Sequence, residues 1–505
     1  VDNSYLHRTP GSAGNLKKWT WSGWVKATTL GTSKFFFCVF DYAGGGSTNK
    51  QHAICFRADN TLEFYHFSNT GYTGRKISTA VFRDPTAWYH IVAVWDTDNA
   101  TAADRMKLYV NGTRITSFGT SSDPSSGTNG DVNRAFLHTM GGSYDPDYAL
   151  GNLHDGNLAR ICFVDGQALD ASSFGYTDSK GQWRTKPLST LKTLVESGGV
   201  TSFLEEFNNG TSTTTLGYDY SSKGNNWTLN NFTRSVGATD DWFEDTPTNN
   251  FCTLNPLDHL NTNAPTNGGL KIVTGVSTSY GATSTFRIPT TGKWFWEFVY
   301  TAGAYCFSGI VNPPAWPNYV VYYTNGQKYI NGTGSAYGAS YTINDIIGVL
   351  ADADAGTLTF YKNGVSQGAI TVDFSSGDWA AWAADGSSGN STTQIFNFGQ
   401  RAFAYSIPSG AKKLCTKDLP EGTVVISGSF TGNANANGPM VVLNGTPTAM
   451  TINGNAVTFG THADKLANGF KLRTSSASYN TAGSNTYSVS TNAGVFKYNN
   501  AEVNP

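Results

Sequence analysis

The sequence is poor in charge. Only 14% of its 505 residues are Asp, Glu, Lys or Arg, against ~25% in an average globular domain, and the formal net charge is −2. Such a chain has no long-range field to gather polyphosphate or an anionic lipid surface, which argues against nucleic acid as a partner. No run approaches the ~18 uninterrupted apolar residues of a membrane-spanning helix. The opening VDNSYLHRTP lacks the basic and apolar regions of a secretory signal. Neither membrane insertion nor signal-directed export is expected.

Motifs for chemistry are missing as well. The six cysteines (Cys38, Cys55, Cys162, Cys252, Cys306, Cys415) have no CxxC spacing and, apart from Cys252 and Cys415, sit inside apolar runs. Buried free thiols are the expected state. The eight histidines form no HxxxH or HExxH group, which leaves them as lone or satisfied side chains. GxSxG, GxGxxG and P-loop patterns are absent, so acyl transfer and nucleotide chemistry have no foothold. Retaining glycosidases need two carboxyls ~5–5.5 Å apart, and a strand would show them as an E-x-D-x-x-E run. None exists. Glu205 and Glu206 are adjacent and point to opposite faces of a strand, and Glu244–Asp245 falls in a polar segment; both pairs are expected to be solvated.

Glycine and aromatics are abundant: 56 Gly, 13 Trp, 25 Tyr and 30 Phe. Large rings suit a pleated, half-buried surface and glycines suit many turns. WTWSGWVK (19–26) alternates, with Trp19, Trp21 and Gly23 on one face and Thr20, Ser22 and Trp24 on the other. FFFCVFDY, AICFRA, TLEFYHF, YHIVAVWD and KLYVNG follow at the short spacing of an antiparallel sandwich. Asn111-Gly112 is a strong hairpin signal because both turn positions accept φ > 0. KWFWEFVY (293–300) alternates again, and TFYKNG repeats the hairpin near residue 363. LSTLKTLVES (188–197) is the one short helix foreseen.

The organisation read from these patterns is all-β: two antiparallel jelly-roll-like β-sandwiches over 1–235 and 261–420, a linker at 236–260 where the chain turns acidic and Pro/Asn-rich, and a small β-rich C-terminal domain over 421–505.

YLHRTPGSAGNLKKWTWSGWVK, WYHIVAVWD, KLYVNG, LARICFVDGQALD and DYSSKGNNWTLNNF resemble the concanavalin-A-like lectin/laminin-G module of phage tail-associated proteins. GKWFWEFVY, GVLADADAGTLTFYKNG and IFNFGQRAFAY are similar to SPRY domains, which follow that module in such proteins. The resemblance implies a virion location in a tail or surface appendage, other virion proteins and a host cell-surface glycan as partners, and a homotrimer. It implies no cofactor beyond Ca²⁺, which laminin-G-like loops can hold.

Asp145, Asp147 and Asp155 in SYDPDYALGNLHDG are the candidate calcium ligands, since Ca²⁺ accepts hard oxygens from flexible loops; Asp and Pro also favour such turns by themselves. Tyr144 and Tyr148 in that loop, with Asp145 and Asp147, and Trp316 and Tyr319 in NPPAWPNY, lie outside the alternating runs. They are candidate sugar contacts, with core closure or an intersubunit contact as the alternatives. Three functions stand: host-surface binding without catalysis, a purely structural decoration or connector role, and polysaccharide depolymerisation, which the missing carboxylate pairs disfavour.

Overall fold

The computed structural model describes residues 3–41, 50–69, 71–145, 148–179, 181–234, 241–259, 264–274, 281–312, 318–385, 391–420, 423–442, 447–466 and 469–492. The first sandwich faces an eight-stranded sheet against a six-stranded one. Lys18–Ala27 pairs in the six-stranded sheet with Tyr89–Asp96 on one side and Gly156–Asp165 on the other. Its alternation sends Trp19, Trp21 and Val25 into the core between the sheets. Gly23 is required there, because a Cβ would stand 2.5 Å from Ile161 Cδ1 and 2.6 Å from the Trp21 ring.

The opposite face of the same sheet is also covered. The foreseen helix, Leu188–Glu196, lays Leu191 and Val195 against Val92, Val94, Cys162 and Val164. Strands buried on both faces explain why 19–26 and 89–96 carry so few charges. In the eight-stranded sheet, a bulge between Phe35 and Phe37 turns both Phe36 and Phe37 inward while Phe35, Cys38 and Phe40 face out.

The second sandwich stacks two seven-stranded sheets. Lys293–Ala302 is central to one of them, pairing with Ile346–Asp352 and Thr393–Asn397. Trp294, Trp296, Phe298 and Tyr300 are buried, and Phe295, Glu297 and Val299 on the other face are buried too. The chain after Thr393–Asn397 covers that second face: Phe403 packs edge-on to Phe295 at 5.1 Å, and the Ala404 N–H donates to Glu297. Asn111-Gly112, Asn331-Gly332 and Asn363-Gly364 all adopt positive φ at both residues, the signature of type I′ hairpin turns.

The stretch expected as a linker is built into this unit. Leu254–His259 is a strand of the second sandwich, paired with Gly281–Arg287, and Asp245, Phe251 and Cys252 are buried. An acidic, Pro/Asn-rich composition reads as solvated, but Asp245 meets a buried lysine of the first sandwich.

Residues 419–505 form a separate unit. Among its described residues a four-stranded and a three-stranded sheet enclose Met450, Ile452, Ala463, Phe470, Leu472 and Val489. All six cysteines are free and buried. Among the described residues no helix is long and apolar enough to cross a membrane.

Candidate saccharide-binding face

Alternation along Thr61–Ser68 puts Leu62 and Phe64 in the core and turns Glu63, Tyr65 and Phe67 onto the outer face of the eight-stranded sheet. Register then sets Arg75, on Gly71–Val81, opposite Tyr65. Arg75 Nε donates to Glu63 Oε1 at 2.6 Å and Arg57 Nη1 donates to Glu63 Oε2 at 3.2 Å, so both carboxylate oxygens are held by guanidinium groups. Arg57 also reaches Asp59, at 3.4 Å.

The Tyr72 ring lies over the Arg75 guanidinium at 4.1 Å and meets Tyr65 and Phe67 edge-on at 5.6 and 5.2 Å. Tyr72 is 47% exposed. The Tyr65 hydroxyl donates to Gln51 Oε1 at 3.0 Å, and burial, with Cys55 next, pushes its pKa well above the ordinary phenol value. At Arg57 burial opposes the charge, and Glu63 more than offsets it, leaving the guanidinium above its usual value. Arg57, Asp59, Glu63, Tyr65, Tyr72 and Arg75 line a pocket of ≈370 Å³. It offers a flat exposed ring beside a fixed array of donors and acceptors.

The residues foreseen from the sequence are placed elsewhere or fall outside the description. Tyr144 is half-buried with its ring 5.1 Å from Tyr5. Asp145 and Tyr148 are backbone partners in the hairpin Ser143–Asp145/Tyr148–Gly151, and their side chains lie outside the described residues, as do Asp147 and Trp316. Tyr319 packs on Phe307 at 5.6 Å and Trp382 at 5.4 Å, and burial raises its pKa.

Asp155 is buried, and its oxygens accept the N–H of Gly268 at 2.8 Å and of Asn267 at 3.2 Å. The structure thus uses this expected calcium ligand to join the two sandwiches. Among the described residues no group of three or more His, Cys, Asp or Glu is arranged to hold a metal.

The expectation that both carboxylate pairs are solvated is corrected for Glu205, Glu206 and Asp245, whereas Glu244 is exposed as expected. Glu205 is fully buried with no hydrogen-bond partner among the described residues, Glu206 pairs with Arg160, Asp245 pairs with Lys26, and Glu244 pairs with Lys413 at 2.7 Å. Four of the histidines, His52, His66, His90 and His138, are buried inside the first sandwich. What sequence reading missed is the Arg57–Glu63–Arg75 array. Its one visible signal was a lone Glu in the outward register of an aromatic strand, and the arginines are linked to it only by strand pairing.

Residues 2–184 match the family model of the concanavalin A-like lectin/glucanases superfamily, and residues 275–379 match the SPRY domain. No curated protein matches the chain. Among solved structures, the SPRY domain of human HERC1 aligns at 18% identity over 30% of this chain and 99% of its own length, with a TM-score of 0.27. Domains LG4-5 of the mouse laminin alpha1 chain align at 11% identity over 82% of this chain and 86% of theirs, with a TM-score of 0.27. The heptameric SAP-like pentraxin of Limulus polyphemus aligns at 15% identity over 33% and 71%, with a TM-score of 0.24. The chain carries a concanavalin-A-like, laminin-G-type β-sandwich followed by a SPRY domain, two module types that point to carbohydrate or protein binding.

Proposed function

We propose that this chain is a non-catalytic recognition protein of a bacteriophage particle, a tail-fibre or appendage component that binds glycan on the host surface through the outer face of its eight-stranded sheet. The observation that carries the binding site is the exposed Tyr72 ring, stiffened by Arg75 and flanked by the Arg57–Glu63–Arg75 array. A pyranose presents an apolar face to such a ring while its hydroxyls meet charged groups already fixed in place, so little ordering is required on binding. The virion setting rests on the sequence resemblance, and the module order supports it. The protein works as a homotrimer among other virion proteins, and repeated weak contacts then sum to firm attachment.

Titrating the whole protein with purified host surface polysaccharide tests the site. Tyr72→Ala and Arg75→Ala should each weaken binding about tenfold, the scale of one aromatic or cation–π contact of roughly 1–1.5 kcal/mol. Wild-type affinity in both variants would remove this face from recognition. New reducing ends appearing during the incubation would show a depolymerase instead.

A further inference from the structure

A second cavity, of ≈340 Å³, lies where the two sandwiches meet. We propose that it binds a small neutral molecule with one or two apolar rings and a hydroxyl or N–H donor. The size falls within the ~300–1,000 Å³ of small-molecule pockets. Leu6, Phe207, Phe232 and Trp242 supply apolar wall. Asn157, on the cavity surface, has a buried Oδ1 that no donor among the described residues reaches, and the same is true of Nδ1 of the neighbouring His154. The His154 ring is neutral, since burial lowers its pKa to about 3, and Nε2 is the nitrogen turned to the Asn157 carbonyl, at 3.4 Å. Two acceptors are thus left without a donor, and buried acceptors ordinarily have one.

The carboxylates around the cavity are already engaged. Glu206 takes the Arg160 guanidinium, Asp245 takes Lys26, Glu244 takes Lys413, and Asp155 takes two backbone N–H groups. Arg401 lies over the Phe243 ring at 4.6 Å, and Asp241 accepts the Thr233 N–H at 2.7 Å. A cationic ligand would therefore find every one of these carboxylates engaged, an anion brings no donor for Asn157, and a neutral donor would complete it.

Backbone strain points to the same place. Among the described residues fifteen non-glycine residues have positive φ, and twelve are Asn, which tolerates it. The other three are Arg160 (φ 49°), Phe207 (φ 53°) and Ala434 (φ 51°). Phe207 lines the cavity, and Arg160 holds the Glu206 that lines it. Strain of this kind persists where surrounding structure enforces it, and it gathers at binding sites.

The full-length protein is titrated calorimetrically, and its melting followed, with indole and cyclohexanol as neutral donors, toluene as an apolar molecule without a donor, and benzoate and benzylammonium as charged ones. Indole and cyclohexanol should bind and raise the melting temperature, with toluene at least tenfold weaker and the ions weaker still. Asn157→Leu should cut the indole-to-toluene affinity ratio several-fold, leaving His154 Nδ1 as the remaining acceptor, and Ala159→Phe, which fills the cavity, should abolish binding of all probes. Absence of indole binding at millimolar concentration, or an indole-to-toluene ratio unchanged in Asn157→Leu, overturns the proposal and leaves a water-filled seam. Asn157→Leu decides the matter should Ala159→Phe not fold.

Discussion

Lys26 and Asp245 form a salt bridge at 2.7 Å with side chains 0% and 2% exposed, one from a strand of the first sandwich and the other from the segment entering the second. Lys26 Nζ also donates to Asn250 Oδ1 at 2.6 Å and to the Phe251 carbonyl at 3.3 Å, and Trp88 Nε1 donates to Asp245 at 3.0 Å. Removing one member leaves a desolvated charge behind, which typically costs about 3–5 kcal/mol, while replacing both with apolar side chains is far milder. Asp245→Ala should therefore destabilise strongly in urea unfolding, and Lys26→Met/Asp245→Leu should recover most of the loss. Equal losses in single and double variants would mean that packing, not charge, sets the effect.

The same pair ties the two sandwiches together, and they should unfold as one cooperative unit. A fragment cut at residue 235, the boundary suggested by composition, strips Lys26 of Asp245, Asn250 and Phe251, opens the face that they cover, and leaves Asp155 without the Asn267 and Gly268 amides. Calorimetry should give residues 1–418 a single transition and the 1–235 fragment a much lower one. Two independent transitions within 1–418 would show separate domains.

Local pattern revealed strands, hairpins and the helix, because alternation and Asn-Gly turns are read within a few residues. Trp19, Trp21 and Gly23 share a face as their spacing demands, and Asn363-Gly364 turns as its dipeptide demands. Pairing at long range is not written locally. Nothing near Glu63 announces that Arg57 and Arg75 will reach it, and the DDWFED segment gives no sign that Lys26, some 219 residues away, waits for Asp245. Glu205 likewise reads as a surface charge until the fold closes over it.

Glu205 gives a pH signature. Burial, with Asp219 adding to it, pushes its pKa well above the usual carboxylate value, and Arg8 only partly offsets this. The folded state then holds the proton more tightly than the unfolded chain, whose Glu titrates near ~4.3. Its contribution is most favourable below that pH and is lost as pH rises toward the folded pKa. Glu205→Gln should raise the melting temperature at pH 7 and leave it unchanged near pH 4. A variant equal to wild type at both values would mean that the carboxylate finds a partner when ionised.

The thiols should be silent until the protein unfolds. All six are buried, and burial pushes Cys38 and Cys306 to about 12, so almost no thiolate exists at neutral pH. Titration of the native, unreduced protein should find essentially no reactive group, and titration in denaturant should find all six cysteines. Fewer in denaturant would indicate disulfides.

Assembly should reside in the C-terminal unit. Among the described residues the ten-residue strand Thr423–Gly432 pairs on one side only, with Gly483–Asn492, and Met440, on an edge strand of the companion sheet, is 61% exposed. A core of six buried apolar residues is small for a unit of this length, and a long open edge invites pairing with another chain. Closed symmetry satisfies both needs by letting copies cover one another's edges. The homotrimer proposed above sets the expected number of copies at three. Light scattering on the full chain should give a trimer at micromolar concentration, and deletion of 419–505 should give a monomer that keeps the polysaccharide affinity of a single site but loses adsorption to host cells through lost multivalency. A monomeric full-length chain, or a trimer that survives the deletion, would move the assembly interface out of this unit or remove it altogether.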